Sequence, residues 1–305
     1  MSRYERQTLL PEIGPTGQAR LAAARVLVVG AGGLGSAVLP LLVGAGVGHI
    51  RLADPDVVEV GNLHRQTMFR MSDIGHPKAM VAAESLAGLN PDCKIEPLVM
   101  RLDPGSTPGA LDRADIIVDA ADSFAVSYAL SDLCEDARLP LISASVLARR
   151  GYVGGFCGGA PSLRAVFPDL PNQLGSCASD GVMGPVVATI GALQAQMTLA
   201  VLLGLCPSPL GQLMTLDLAD WRLGGFRFDG ATDTSHRTPA VISRNDIVAG
   251  DLVVDLRTGP NAQPRPKPGQ RVVFLCTTGL RAWRAAMALH TAGHPSVAIV
   301  GDGGC

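Results

Sequence analysis

Short runs of apolar, β-branched residues alternate along the chain with longer segments that suit helices. The first run, residues 25–29, ends at Gly30; the helix-compatible segment 36–44 and a second apolar run, 49–53, follow. A short run that is apolar throughout is typical of a strand buried on both faces of a parallel sheet. These segments therefore predict a β-α-β unit.

The same alternation continues further along the chain. Residues 115–119 and 139–144 have the pattern of strands, and the segment 124–137 between them has the pattern of a helix. Strands that alternate with helices predict an α/β fold, a Rossmann-like doubly wound parallel sheet.

Residues 181–205 carry no charge and are long enough to cross a bilayer. The segment also contains Pro185, Gln194 and Gln196, and no basic flanks or other spans accompany it. These features favour a buried core or interface helix, so we expect no membrane association.

A second α/β pattern follows residues 224–239, which are polar and rich in turn-forming residues. Residues 252–256, 272–275 and 297–300 have the pattern of strands, and 280–291 that of a helix. We therefore predict a large domain over 1–225, a linker over 226–240 and a small α/β domain over 241–305.

Composition narrows the function classes. The 305 residues are 47% hydrophobic and 17% charged with a net charge of −2, which indicates a globular chain and gives no reason to expect a nucleic-acid partner. The seven cysteines form no C-x-x-C pair, and the N-terminus lacks the apolar run of a secretory signal. We expect free thiols, a cytoplasmic location and no structural zinc of the C-x-x-C type.

A glycine motif marks a nucleotide site. Gly30, Gly32 and Gly35 form G-x-G-x-x-G between the first strand and its helix, and Asp54 ends the second strand 19 residues later. Glycines let the backbone approach phosphates closely, and a carboxylate at that distance can accept hydrogen bonds from a ribose. By itself this motif fits NAD(P), which keeps an NAD(P)-dependent oxidoreductase as an alternative.

Three charged residues favour a triphosphate instead. Arg65, Lys78 and Asp122 supply two cations for a leaving pyrophosphate and a carboxylate for Mg²⁺. Each residue alone is typical of a surface charge or a helix cap, so the inference depends on their coincidence. A dehydrogenase leaves all three unexplained.

Longer motifs carry a family resemblance over residues 3–222. They are RYERQ at 3–7, GAGGLG at 30–35, DPD at 54–56, NLHRQ at 62–66, GHPK at 75–78, NP at 90–91, DAAD at 119–122 and the segment from Cys177 to Pro185. Together they resemble the MoeB/ThiF/HesA group, relatives of the ubiquitin-activating enzymes.

The resemblance implies an activity. These enzymes adenylate the C-terminal Gly-Gly carboxylate of a ubiquitin-like sulfur carrier with Mg²⁺ and ATP, releasing pyrophosphate. Matched by motif, Asp54 binds the ribose, Gly33 lies under the nucleotide, and Asp122 binds Mg²⁺. The residues matched to the nucleotide and its phosphates are Gly30, Gly32, Gly35, Asn62, Arg65, Gln66, Lys78 and Ser123. Arg6 matches an arginine that reaches the other subunit's site, which implies a homodimer.

The chain departs from the family pattern at several positions. Ser123 replaces an asparagine, and Ser127 replaces an arginine. The family's first zinc-binding pair would fall near Ser162 and Ala165, so no structural zinc is expected. Cys177 matches a thiol that bonds to the activated carrier in some relatives; the alternative is a loop cysteine without a role.

A thiol motif marks the C-terminal domain. Cys276 lies between a strand and a helix, with Arg281 after it and the sequence Asp-Leu-Arg upstream at 255–257. This loop resembles the rhodanese sulfurtransferase loop, in which a helix N-terminus stabilises a persulfide. The domain is abbreviated between Arg257 and Val272, so a structural cysteine in a remnant domain is the alternative.

The sequence therefore predicts an adenylyltransferase fused to a short rhodanese-like domain. If both halves act, Cys276 delivers sulfur, supplied by a cysteine desulfurase, to the activated carrier of thiamine or molybdopterin synthesis. A non-catalytic scaffold that binds a carrier is the alternative outside the enzymes, and the sequence does not choose among carriers.

Overall fold

Two β-sheets and the helices that cover them make up the described residues, 3–168, 181–232, 239–257 and 264–301, of the computed structural model. The helices are α1 Glu5–Thr8, α2 Gly14–Ala23, α3 Gly33–Ala45, α4 Lys78–Leu89, α5 Thr107–Leu111, α6 Phe124–Ala137, α7 Leu163–Val166, α8 Gly184–Leu203 and α9 Leu280–Thr291. The strands are β1 Arg25–Val29, β2 His49–Ala53, β3 Lys94–Leu98, β4 Ile116–Asp119, β5 Pro140–Leu147, β6 Arg150–Cys157, β7 Gln212–Asp217, β8 Arg222–Arg227, β9 Ala240–Val241, β10 Leu252–Asp255, β11 Val272–Cys276 and β12 Val297–Gly301.

The larger sheet has the strand order β3-β2-β1-β4-β5-β6-β7-β8. Its strands are parallel from β3 to β5 and antiparallel from β5 to β8. The chain leaves β1 toward β2 and returns to β4 on the other side, so the order reverses between β1 and β4. In open α/β sheets, ligands bind outside the carboxyl ends of the strands at this reversal. The predicted α/β class and Rossmann-like sheet are confirmed.

Alternate residues of β1 face two different cores. Val26 and Val28 pack in a cluster with α3 and α8, whereas Leu27 and Val29 belong to a cluster that includes α6. This alternation follows from the pleat of a strand that is covered on both faces.

Helix α8 is part of the first of these cores. By length and composition it could cross a membrane, but 56% of its apolar window is buried inside the structure. Gln194, fully buried, donates hydrogen bonds to the backbone oxygens of Asp119 (2.7 Å) and Ile142 (3.1 Å). A buried amide that bonds to two strands fits the predicted core helix.

A smaller, four-stranded parallel sheet follows, with the order β10-β11-β12-β9. We call this sheet and α9 the C-terminal unit. The linker predicted over 226–240 overlaps a strand at each end, because β8 runs to Arg227 and β9 begins at Ala240. Strand β8 was not predicted from the sequence, because it contains two glycines and two arginines and all six of its residues are exposed.

Arg164 links the C-terminal unit to the large domain. Its guanidinium pairs with Asp132 at 2.7 and 2.9 Å, and lies 5.0 Å from the ring centre of Tyr128 and 5.1 Å from that of Trp283. The two rings are 4.7 Å apart, and they join α6 to α9. The same arginine donates to the backbone oxygen of Pro239 at 3.4 Å. The two units therefore share one core.

We predict that Arg164→Ala strongly destabilises the whole chain. The substitution removes the cation that pairs with the buried Asp132 and lies over the rings of Tyr128 and Trp283, a change that costs about 3–5 kcal/mol. Urea unfolding measures the loss. Arg227→Ala is the matched control, because that arginine pairs with Asp229 at an exposed site and should matter little. Equal, small effects of the two substitutions would contradict the inference.

Candidate functional site

The carboxyl ends of β1, β2 and β4 bring the predicted nucleotide residues to one edge of the large sheet. Gly30 follows β1 with φ of +103°, and a Cβ there would lie 2.5 Å from the backbone oxygen of Ala120. A Cβ on Gly35 would meet the oxygen of Gly30. Both positions accept only glycine, so the loop is held against the segment that leads to Asp122.

Unpaired polar atoms lie beside this loop. Helix α3 begins at Gly33, and the first N–H groups of a helix have no acceptor within it. Ser36 and Gln66 are buried, and the Ser36 Oγ and Gln66 Oε1 atoms have no hydrogen-bond partner in the structure. Gln66 also approaches Gly32, where a Cβ would lie 3.9 Å from Nε2. Buried polar atoms are rarely unpaired, so this environment fits a polar ligand such as a nucleotide.

Asp54 is fixed at the end of β2. It is 4% exposed, and its carboxylate accepts hydrogen bonds from the N–H groups of Ala31 (2.7 Å) and Asp56 (2.8 Å). Burial raises the pKa of this carboxyl above its usual value, although both N–H groups and Lys78 oppose the shift. A carboxylate has about four acceptor positions, so it can also accept from ribose hydroxyls.

Arg65 is oriented by its own segment. Its guanidinium donates to Asn62 Oδ1 (2.9 Å) and to the oxygen of Gly61 (3.1 Å), and lies 2.9 Å from His64 Nε2. A Cβ on Gly33 would lie 3.7 Å from Arg65 Cγ. The structure therefore places the arginine against the first turn of α3.

Lys78 is the first residue of α4 and is buried. Its Nζ pairs with Asp56 Oδ2 at 3.0 Å, and its N–H donates to the backbone oxygen of Asp56. The lysine therefore belongs to the same end of β2 as Asp54.

Asp122 and Ser123 follow β4. Asp122 is exposed, whereas Ser123 is buried and its Oγ donates to the backbone oxygen of Thr278 at 3.3 Å. Within the described ranges, no group of three or more His, Cys, Asp or Glu side chains could hold a metal. Mg²⁺ is commonly held by one or two carboxylates together with substrate phosphates, so a single Asp122 fits that mode.

Arg6 lies away from this edge, whereas Cys276 ends β11, two residues before the Thr278 that contacts Ser123. Helix α1, which carries the exposed Arg6, is bonded through Gln7 Nε2 to the oxygen of Ala45, at the far end of α3. Cys276 is 2% exposed, and its Sγ accepts a hydrogen bond from the N–H of Ala282 at 3.3 Å. Cys177 lies outside the described residues.

Sequence reasoning missed the role of Asp119. This buried carboxylate accepts hydrogen bonds from Ser143 Oγ (2.8 Å), from the N–H of Ala121 (3.2 Å) and from the hydroxyl of Ser127. Burial raises its pKa to about 6 despite these bonds. Ser127, which stands where the family has an arginine, therefore bonds to the residue that ends β4, shortly before Asp122. The signals in the sequence were an acidic residue that ends an apolar strand and its place at the start of the DAAD motif at 119–122.

We predict that Asp119 makes stability fall as the pH rises from about 4 to about 6. In that interval the folded protein retains a proton that the unfolded chain has lost, so deprotonation favours unfolding. Asp119→Asn removes this proton, and its stability relative to wild type should improve over the same interval. Urea unfolding at several pH values measures this. The exposed Asp112→Asn is the control, and parallel curves for all three proteins would contradict the assignment.

Comparisons with known proteins identify relatives of this chain. Residues 4–235 match the ThiF family. The chain is 37% identical over 222 residues to a "SAMP-activating enzyme E1" of Haloferax volcanii, covering 72% of this chain and 82% of the relative. It is 40% identical over 225 residues to a "Sulfur carrier protein adenylyltransferase" of Thermus thermophilus, covering 71% and 83%.

Longer relatives and a solved structure extend the comparison. The chain is 41% identical over 218 residues to "Adenylyltransferase and sulfurtransferase MOCS3" of Sus scrofa, covering 70% of this chain but only 48% of that protein. The crystal structure of E. coli MccB shares the fold, with a TM-score of 0.67 and 23% identity over 75% of this chain and 70% of that one. The family match covers well over half of the sequence, and the chain belongs to the ThiF family.

Proposed function

We propose that this chain is an ATP-dependent adenylyltransferase that activates the C-terminal Gly-Gly carboxylate of a ubiquitin-like sulfur carrier. The observation that carries the proposal is the meeting of a glycine loop, a fixed acid, two cations and an exposed acid at one sheet edge. These residues are Gly30 to Gly35, Asp54, Arg65, Lys78 and Asp122. Relatives named as adenylyltransferases and as an E1 support the same reaction.

The chemistry requires charge stabilisation more than covalent catalysis. A carboxylate oxygen of the carrier attacks the α-phosphorus of ATP. The bond between that phosphorus and the oxygen that bridges to the β-phosphorus breaks, and pyrophosphate leaves. Arg65 and Lys78 would stabilise the negative charge that develops on the leaving group. Asp122 would bind Mg²⁺ together with phosphate oxygens, and the metal would supply further neutralisation of that charge.

The nucleoside has a place at the same edge. Asp54 would accept from the ribose hydroxyls, and the bare backbone at Gly32 and Gly33 would let the nucleotide approach α3. The resulting acyl adenylate carries AMP, which is a good leaving group. The oxygen of a free carboxylate is a poor leaving group.

The proposal includes a homodimer in which Arg6 serves the partner's site. Helix α3 has 13 residues and is therefore about 20 Å long. Because α1 is bonded to the end of α3 opposite Gly33, Arg6 lies about one helix length from its own glycine loop. An arginine needed at a nucleotide site would thus have to reach the site of a second copy.

Sulfur transfer is a separate step of the proposal. A longer relative, of which this chain covers 48%, is named as both adenylyltransferase and sulfurtransferase. In this chain the outer sulfur of a persulfide on Cys276, formed by a cysteine desulfurase, would attack the carbonyl carbon of the adenylate and displace AMP. The product is an acyl disulfide between the carrier and Cys276, and attack of a second thiol on the Cys276 sulfur would release the carrier thiocarboxylate and leave a disulfide at Cys276. The Cys276 thiol is buried, so sulfur transfer requires it to become exposed. The described cysteines, at 93, 134, 157, 206 and 276, form no disulfide.

We predict that the purified protein catalyses ATP–pyrophosphate exchange when Mg²⁺ and its own Gly-Gly carrier are present. Asp122→Ala removes the metal-binding carboxylate and should reduce exchange by about a hundredfold or more. Asp112→Ala is the matched control, an exposed acid at the opposite edge of the sheet, and should exchange like wild type.

Other outcomes would overturn the proposal in distinguishable ways. Carrier binding and ATP binding without exchange favour a non-catalytic scaffold. Protection against heat by NAD(P) but not by Mg·ATP favours an oxidoreductase, which would leave Arg65, Lys78 and Asp122 unused.

We further predict that Arg6→Ala and Asp122→Ala proteins, each inactive alone, recover activity when mixed. Only a heterodimer combines an intact Arg6 from one subunit with an intact Asp122 from the other, so activity should approach about one quarter of wild type after free subunit exchange. Exchange assays before and after mixing measure this. No recovery, with heterodimers demonstrated by mass, would contradict an action of Arg6 on the partner's site.

A further inference from the structure

The loop after Cys276 caps the helix that begins beside Asp122. Helix α6 starts at Phe124, and its first N–H groups have no acceptor within the helix. Ser123, at the capping position, makes no side-chain cap bond. The backbone oxygen of Thr278, from the C-terminal unit, instead accepts from the N–H of Ala125 (3.2 Å) and from Ser123 Oγ (3.3 Å).

Two glycines make this contact close. A Cβ on Gly279 would lie 2.6 Å from the Cβ of Ala125, and a Cβ on Gly301 would also meet that atom. Gly279 has φ of +86°, whereas Gly301 has no unusual backbone conformation. At Gly301, therefore, the absence of a side chain is required by the contact with α6.

Asp122 lies between two anchored residues. On one side, the N–H of Ala121 donates to Asp119 Oδ1 at 3.2 Å. On the other, Ser123 is held by Thr278. The direction of the exposed Asp122 carboxylate therefore depends on both the end of β4 and the docked loop.

We propose that the 276–279 loop is a positioning element of the nucleotide site, which holds Asp122 where it can bind the Mg²⁺ of Mg·ATP. The inference rests on the proposed function, because it assigns the loop a part in the same site. In the docked structure, Asp122 is aligned and Cys276 is buried. The arrangement that binds Mg·ATP is the one in which the thiol is inaccessible.

Because the coupling between loop docking and Mg·ATP binding is reciprocal, it can also be tested on the wild-type protein. If docking strengthens the binding of Mg·ATP, Mg·ATP must strengthen docking by the same factor. Mg·ATP should therefore slow the alkylation of Cys276, which requires the loop to open.

The first experiment enlarges the residue that touches α6. Gly301→Ala should raise the Kd for Mg·ATP by about tenfold, since a displaced ligand side chain weakens its metal contact. Gly250→Ala is the matched control, because a Cβ there meets nothing within 4 Å and the backbone conformation is equally ordinary. Adding Ala125→Gly to Gly301→Ala removes the clashing methyl and should restore the Kd.

The readouts separate positioning from stability. ATP binding with and without Mg²⁺, the KM for ATP and the KM for the carrier are compared with the melting temperature. A positioning role raises the Kd and KM for Mg·ATP, leaves the KM for the carrier unchanged, and is rescued in the double variant. A Kd equal to that of wild type in folded Gly301→Ala overturns the inference and leaves adenylation intact.

The second experiment needs no variant, and it decides the matter if Gly301→Ala does not fold. Wild-type protein is treated with iodoacetamide with and without saturating Mg·ATP, and peptide mass spectrometry follows Cys276 separately from the other six cysteines. We expect labelling several-fold slower with Mg·ATP, with the exposed Cys206 unaffected. An unchanged or faster rate at Cys276 overturns the inference. Binding of Mg·ATP without pyrophosphate exchange would instead reject the adenylation proposal and leave positioning to be judged by binding and labelling.

Discussion

The close approach of Gly30 to Ala120 is the constraint on which the site depends. It joins the turn after β1 to the end of β4 at the point where the strand order reverses. Any side chain at Gly30 would separate these two segments, and with them the helix N-terminus of α3 from Asp122. The site is therefore formed by backbone packing, and its charged side chains are added at the rim.

The same principle governs the C-terminal unit. Its glycines approach α6 as closely as Gly30 approaches β4, and Arg164 fastens the two units through a buried ion pair and two aromatic rings. The position where relatives would begin a zinc site is occupied here by Ser162 and its neighbours, within the segment that carries Arg164. In this chain the appended unit takes part in the core of the adenylating domain.

The sequence was informative where burial imposes a simple pattern. The strands Arg25–Val29 and His49–Ala53 and the helices Phe124–Ala137 and Leu280–Thr291 were predicted with the bounds that the structure has, because apolar runs and helical spacing mark them directly. The antiparallel strands β6 to β8 were missed. Glycines interrupt the apolar pattern of β6 and β8, and all six residues of β8 are exposed. The meeting of Asp54, Arg65 and Lys78 followed from motifs. The buried acid Asp119 and the docking of Thr278 on α6 depend on contacts between residues far apart in sequence, which no local pattern shows.

Adenylation itself is tested most directly by the mass of the carrier after incubation with this protein and Mg·ATP. We expect the carrier to gain AMP on its C-terminal glycine and one pyrophosphate to be released for each adenylate formed. An unmodified carrier in the presence of bound Mg·ATP, or the formation of ADP and phosphate in place of AMP and pyrophosphate, would contradict it.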